Sequence, residues 1–463
     1  AVASARDTAD TDDARQWRER LFAMVERSRA RVLVDRLVAA APPGNQLPPR
    51  HQEALSALAT EVRRRREALT AHLGADPAEV ERLRRELTTA HQNFTDLDGF
   101  LTQSYRPYRL LASTEPIEGS VLDRHLGTAT GLIEYVAVDG ALISLVRAHG
   151  RVTLYQHGEL VEISAMDREL TGLCRHRSDT RRALELSCRL YDRLVRPIGA
   201  AHGLDGLTDV IIVPAPEVFG FPVEALVGDD GYVFERFLVT YLPAASVAPF
   251  LAGRDDGYEP ALVLADPDGS LPYARREAET IEDLFRLTAG GRPFVGTRAT
   301  AAQLSTWASS ARLIHVAAHA DFDLVAPAFS TIRLAPGDGA SSGAFEAGDV
   351  LDLRLESCLV VLSGCDTGRG STEGVNEMIG FIRAFMVSGA AAVVTSHWAV
   401  ADAATSEYMR IFYETLAADR HPALAMRQAR WDQIHLNGYE HPGYWASFTC
   451  FGLPPAWSPA PER

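Results

Sequence analysis

The sequence predicts an α/β protein, with a mostly parallel sheet flanked by helices and a helical segment before it. Three observations predict this. Residues 258–458 alternate apolar strand-like runs with helix-like stretches, the order that builds a parallel sheet covered on both faces. The runs Arg312-Leu-Ile-His-Val-Ala-Ala-His319 and Cys358-Leu-Val-Val-Leu-Ser-Gly-Cys365 show little polar alternation, as strands buried on both faces require. Earlier, 131–138 and 141–147 flank Asp139-Gly140, a strong β-hairpin signal.

The elements follow in order. Residues 1–13 are small and polar, and 14–104 read as helices. Leu55, Leu58, Val62, Leu69 and Leu73 fall at three-to-four spacing. Asp76-Pro77 supplies an N-cap and a proline at the first helical position. The helix it opens carries Val80, Leu83, Leu87 and Phe94 on one stripe. The arginine run 63–66, between Glu61 and Glu67, reads as a solvated helix face. After the hairpin come a helix near 180–202, a strand at 209–213 and a strand at 238–242. Arg254-Asp-Asp-Gly257 reads as a surface linker. Beyond it, strands are expected at 261–265, 312–318, 331–334, 358–363 and 391–396. Helices are expected at 275–287, 300–309, 374–388, 401–418 and 421–435. Gly337-Asp-Gly-Ala-Ser-Ser-Gly343 is a loop. The expected division is 1–117, 118–257 and 258–458.

Composition excludes several functions. The chain has 463 residues, 46% of them apolar and 23% charged, enough for a large core. A net charge of -15 disfavours a nucleic-acid or anionic-membrane surface. All 46 basic residues are arginine, which removes a Walker-type phosphate loop, Schiff-base chemistry and a lysine base. Five widely spaced cysteines lack zinc-finger spacing and suit a reducing compartment, so a cytoplasmic location is expected, with no metal and no cofactor. No apolar run reaches about 18 residues, so no membrane span is expected, and no signal peptide is visible.

The chemistry gathers at two strand ends. In open α/β sheets ligands bind outside the carboxyl ends of the strands. His319 and Cys365 close the two apolar runs and there pair an imidazole base with a thiol nucleophile. Cys365 sits between Ser363-Gly364 and Asp366-Thr-Gly-Arg-Gly370, a composition that turns the chain sharply. His315 and Cys358, deeper in the same runs, read as core residues.

An ordered series of motifs resembles the CHAT family of caspase-like proteases, which are often joined to tetratricopeptide repeats. The series runs Tyr191-Asp-Arg-Leu-Val-Arg-Pro-Ile198, Phe221-Pro-Val-Glu-Ala-Leu226, Leu271-Pro-Tyr-Ala-Arg-Arg-Glu-Ala278 and Leu362-Ser-Gly-Cys-Asp-Thr-Gly368. It ends with Ser388-Gly-Ala-Ala-Ala-Val-Val-Thr-Ser-His-Trp398 followed by Asp402 and Thr405. His319 precedes Cys365 by 46 residues, near the roughly 50 known in caspases. The resemblance implies a caspase-like catalytic half at 258–458 and an inactive pseudo-caspase half at 118–257. It implies Cys365 as nucleophile, His319 as base, and the backbone N–H groups of Ala320 and Cys365 as oxyanion hole. Where the family usually has glycine after the histidine, this chain has Ala320. Asp321, Asp323 and Asp366 flank the site as candidate pocket residues for a basic side chain, and His397 is a further candidate. The implied activity is a regulated cysteine endopeptidase that cuts a partner protein in a cell-death or anti-phage pathway, with a sensor or repeat domain upstream or in trans. The alternative is a catalytically idle CHAT scaffold that binds a partner.

Overall fold

Apolar runs that offer no polar face must be covered on both sides, and the fold answers that demand with one long sheet. The structure, a computed structural model, describes residues 11–40, parts of 54–69, 77–104, 119–218, 220–251, 257–288, 291–321, 330–337, 343–363 and 375–453. The expected helical residues 41–53, the Arg254–Asp256 part of the linker and loop residues 338–342 lie outside the described residues. The strands are β1 (Thr130–Val138), β2 (Ala141–Ala148), β3 (Arg151–Glu159), β4 (Asp209–Val213), β5 (Val227–Gly228), β6 (Gly231–Tyr232), β7 (Leu238–Tyr241), β8 (Ala261–Ala265), β9 (Phe294–Val295) and β10 (Leu313–Ala317). There follow β11 (Ala320–Asp321), β12 (Thr331–Arg333), β13 (Ala344–Glu346), β14 (Leu359–Ser363), β15 (Ala392–Ser396) and β16 (Phe448–Gly452). Eleven of them form one sheet in the order β3-β2-β1-β4-β7-β16-β15-β14-β10-β8-β9, and β11-β12-β13 form a small sheet beside it.

The hairpin between β1 and β2 closes at Asp139-Gly140, both with positive φ, the two-residue turn whose twist matches its strands. Period-two alternation then sorts the side chains onto two cores. Ile133 and Val146 join the large core on one face, and Leu132 and Leu145 join a second cluster with Phe22 on the other. Beyond the hairpin the strands β8, β10, β14 and β15 run parallel, and every residue in them is buried.

Among the described residues the expected helices lie within a few residues of their positions, apart from one that divides, and the structure adds others, among them Gly119–Leu126. The stretch 180–202 divides into Thr180–Leu194 and Arg196–Ala200, because Pro197 has no N–H to continue the first helix. The third strand β3 and the helix Leu160–His176 fill the stretch between hairpin and helix that the sequence reading left unassigned. The helix Pro77–Ser104 begins at the proline, as its first-turn preference predicts. Among the described residues no helix is long and apolar enough to cross a membrane.

Buried polar groups pin distant segments to the sheet. In the long helix Asp12–Ala40, the Glu26 carboxylate accepts hydrogen bonds from the N–H groups of Ala245 (2.9 Å) and Ser246 (2.7 Å). Arg29 of the same helix pairs with buried Glu134 at 2.8 Å and donates to Pro214 O at 2.7 Å. Arg430 of the helix Pro422–His435 pairs with Glu224 at 2.8 Å and donates to Phe448 O at 2.7 Å, and Tyr241 also bonds Glu224. Burial pushes the Glu224 carboxyl upward, against the pull of Arg430. Removing one partner strands the other charge in the core. Arg430→Ala is therefore expected to lower the unfolding free energy by about 3–5 kcal/mol, read from the urea midpoint, with Arg430→Met paired with Glu224→Gln recovering part of the loss.

Candidate active site

Register decides where the site lies. Ala317 of β10 stands opposite Ser363 of β14 on one side and Ala265 of β8 on the other. The carboxyl ends of the three strands therefore come level at one edge of the sheet. A cavity of about 120 Å³ opens there, lined among others by Ala317, His319, Ser363, Ser396, Glu277 and Asp402.

His319 follows β10 by two residues. Its Nε2 lies 2.8 Å from Ser270 Oγ, and Ser270 Oγ lies 2.6 Å from Asp268 Oδ1. Both partners belong to the turn after β8. That turn is held by Asp266, whose carboxylate accepts from Leu271 N–H at 2.8 Å and from Arg275 Nε at 2.6 Å. Gly269 supplies the positive φ (81°) that the turn needs. The Ser270 hydroxyl, first among several donors, holds the Asp268 carboxyl below its ordinary range.

The other wall is acidic. Asp402 opens the helix Asp402–Asp419 and accepts from Tyr273 N–H at 3.3 Å. Desolvation pushes its carboxyl upward, the Tyr273 bond opposes this, and Glu277 and Asp266 add to the rise. Glu277 is buried, with His315 Nε2 at 3.3 Å, and His315 Nδ1 lies 2.8 Å from the Tyr413 hydroxyl. His315 is thus a core residue, as is Cys358, whose thiol burial pushes up to about 12.

Ala320 opens β11 opposite Ile332. The His319 carbonyl accepts from Arg333 N–H at 2.8 Å, toward β12. Carbonyl and following N–H of one trans peptide point in opposite directions, so Ala320 N–H is aimed away from β12. The backbone there is extended, a conformation alanine adopts as readily as glycine. Asp321 pairs with Thr331 through its backbone. Cys365, Asp366 and Asp323 lie outside the described residues. His397 is buried, with Nε2 3.0 Å from Thr449 Oγ1, while its neighbour Ser396 lines the cavity. Among the described residues no cluster of His, Cys, Asp or Glu is placed to hold a metal ion.

The sequence reading missed Asp266, Asp268, Ser270 and the cavity face of Glu277. A signal existed, because Asp266-Pro-Asp-Gly-Ser270 is a turn at the carboxyl end of a buried strand. Asp266→Ala is expected to cost about 1–3 kcal/mol of stability by leaving the Leu271 N–H without its acceptor, and hydrogen exchange at that amide should quicken.

Comparison with known proteins places the chain. The family profile of the CHAT domain matches residues 184–453. Tetratricopeptide repeat protein 28 of Mus musculus is 27% identical over 322 aligned residues, covering 57% of this chain and 13% of that protein, and the Homo sapiens protein of the same name gives the same figures. The chain therefore spans about one-eighth of the length of these relatives. Among solved structures, the Saccharomyces cerevisiae separase–securin complex matches with a TM-score of 0.51 at 10% identity, over 80% of this chain and 34% of that one. The likeness is one of fold, and the fold is caspase-like.

Proposed function

The chain belongs to the CHAT-domain family, and on that premise we propose that it is a cysteine endopeptidase with Cys365 as nucleophile and His319 as base. One observation carries the reading. Ala317 and Ser363 are register partners on parallel strands, and the imidazole and the thiol each follow by two residues. His319 takes the thiol proton, the thiolate attacks a peptide carbonyl, and His319 returns the proton to the leaving amine. Water then hydrolyses the acyl-enzyme. The outward-aimed N–H of Ala320 supports its place in the oxyanion hole together with that of Cys365, where such a donor is worth about 10² to 10³ in rate.

The cavity supports a preference for a basic side chain before the cut. Asp402 and Glu277 face it beside His319, and Asp321, Asp323 and Asp366 stand near the site in sequence. A guanidinium or ammonium would meet carboxylates there, whereas an acidic side chain would meet like charge. The docked helix Asp12–Ala40 supports an input role for the N-terminal segment, on which a sensor or repeat domain would act in the cytoplasm. A specific partner protein of a cell-death or anti-phage pathway is the proposed substrate.

An electrophilic peptide probe with arginine next to the warhead tests this. Labelling is expected in the intact chain and absent in Cys365→Ala and His319→Ala; equal labelling of Cys365→Ala would refute the nucleophile. Unlabelled protein that still binds its partner would favour the idle scaffold. Asp402→Asn is expected to reduce labelling by the arginine probe about 10- to 100-fold relative to a neutral probe, the range of one charge-assisted hydrogen bond.

A further inference from the structure

We propose that Ser270 and Asp268 are positioning residues that hold His319 as its Nε2–H tautomer and leave Nδ1 as the nitrogen that accepts the thiol proton. The base role rests on the protease reading above; the tautomer does not.

The assignment follows from counting hydrogens. Ser270 Oγ lies 2.6 Å from Asp268 Oδ1 and 2.8 Å from His319 Nε2. A hydroxyl has one hydrogen and two lone pairs, and an ionised carboxylate only accepts. The hydrogen therefore goes to Asp268, and Oγ offers His319 a lone pair. Nε2 must bring the hydrogen to that contact. The opposite arrangement would set an Oγ lone pair against a carboxylate oxygen at 2.6 Å, two acceptors with nothing between them. A neutral imidazole carries one N–H, so Nδ1 is left bare and basic.

The turn is built to keep this arrangement. Ser270 N–H donates to the same Asp268 oxygen at 3.0 Å, which fixes the serine above its own carboxylate. Asp266, buried at the end of β8, clamps the far side of the turn through Leu271 and Arg275. When the ring gains its second proton, the Nε2–H bond to Oγ persists. Asp402 and Glu277 also line the cavity beside the ring, and the hydrogen-bond contact at Nε2 is with Ser270. The relay thus does for His319 what a directly bonded carboxylate does in a catalytic triad. Both serine and aspartate are exposed, so the effect is modest and the variants should fold.

Long-range ¹H–¹⁵N spectra of histidine-labelled full chain, recorded across pH, test the assignment. The expected result is a His319 ring with Nε2 protonated and Nδ1 bare in the neutral form. Ser270→Ala should shift the tautomer ratio about 3- to 10-fold toward Nδ1–H, and Ser270→Thr should restore it. Asp268→Asn should move the tautomer ratio in the same direction, because the serine hydrogen is no longer drawn to an ionised carboxylate. The His315 signals, anchored by Tyr413, should not move. A wild-type Nδ1–H ring, or a spectrum indifferent to Ser270→Ala, would overturn the proposal. In probe labelling at neutral pH, Ser270→Ala should slow the reaction in step with its loss of the Nε2–H form, and Ser270→Thr should restore it. A fixed tautomer without any labelling would leave the relay standing and remove the protease reading.

Discussion

The parallel register of β8, β10 and β14 is the constraint on which the rest depends. Ala265, Ala317 and Ser363 lie side by side, so three chains leave the sheet at one level. A shift of one residue would turn every side chain to the other face. With it, His315 would leave Glu277 and Tyr413, and His319 would leave the cavity. The register is held by strands buried on both faces, where a slip would bring His315 and its polar partners out of their pairing. Packing of the core and alignment of the site are thus one requirement met once.

The same economy extends across the sheet. Glu224 sits beside the short helical turn Val223–Ala225, Tyr241 ends β7, and Arg430 reaches them from a helix two hundred residues away. Arg430 also bonds the carbonyl of Phe448 at the start of β16. This buried charge cluster stabilises little by itself, since desolvation offsets most of the attraction. In the observed seating of β16 between β7 and β15, all three groups are bonded together.

Much of this was legible in the residues. Unbroken apolar runs showed β8, β10, β14 and β15 as doubly covered strands, and Asp139-Gly140 showed the first hairpin. His319 was visible because strand ends carry function in such sheets. Other parts depend on partners far away in sequence. β3 mixes Arg151, Thr153 and Gln156 with its buried residues and runs directly into the helix Leu160–His176, so its membership depends on pairing with β2. The contact between Ser270 and His319 spans a crossover from β8 to β10, and spacing alone does not reveal which turn residue meets the ring. His397 drew attention by its place before Trp398, yet its ring bonds Thr449 on a strand that only the three-dimensional pairing brings near.

β16 is the last of the described strands and the sixth of eleven in the sheet. The middle of the molecule is therefore completed by residues that leave the ribosome after nearly all the others described here. Until then β7 and β15 both present unpaired edges, the kind that invites joining to a second chain. A nascent chain that has not yet reached β16 is consequently two open sheets, exposed to chaperones and proteolysis. Only a chain that extends through β16 closes the seam, which makes the arrival of that strand a precondition for a continuous sheet.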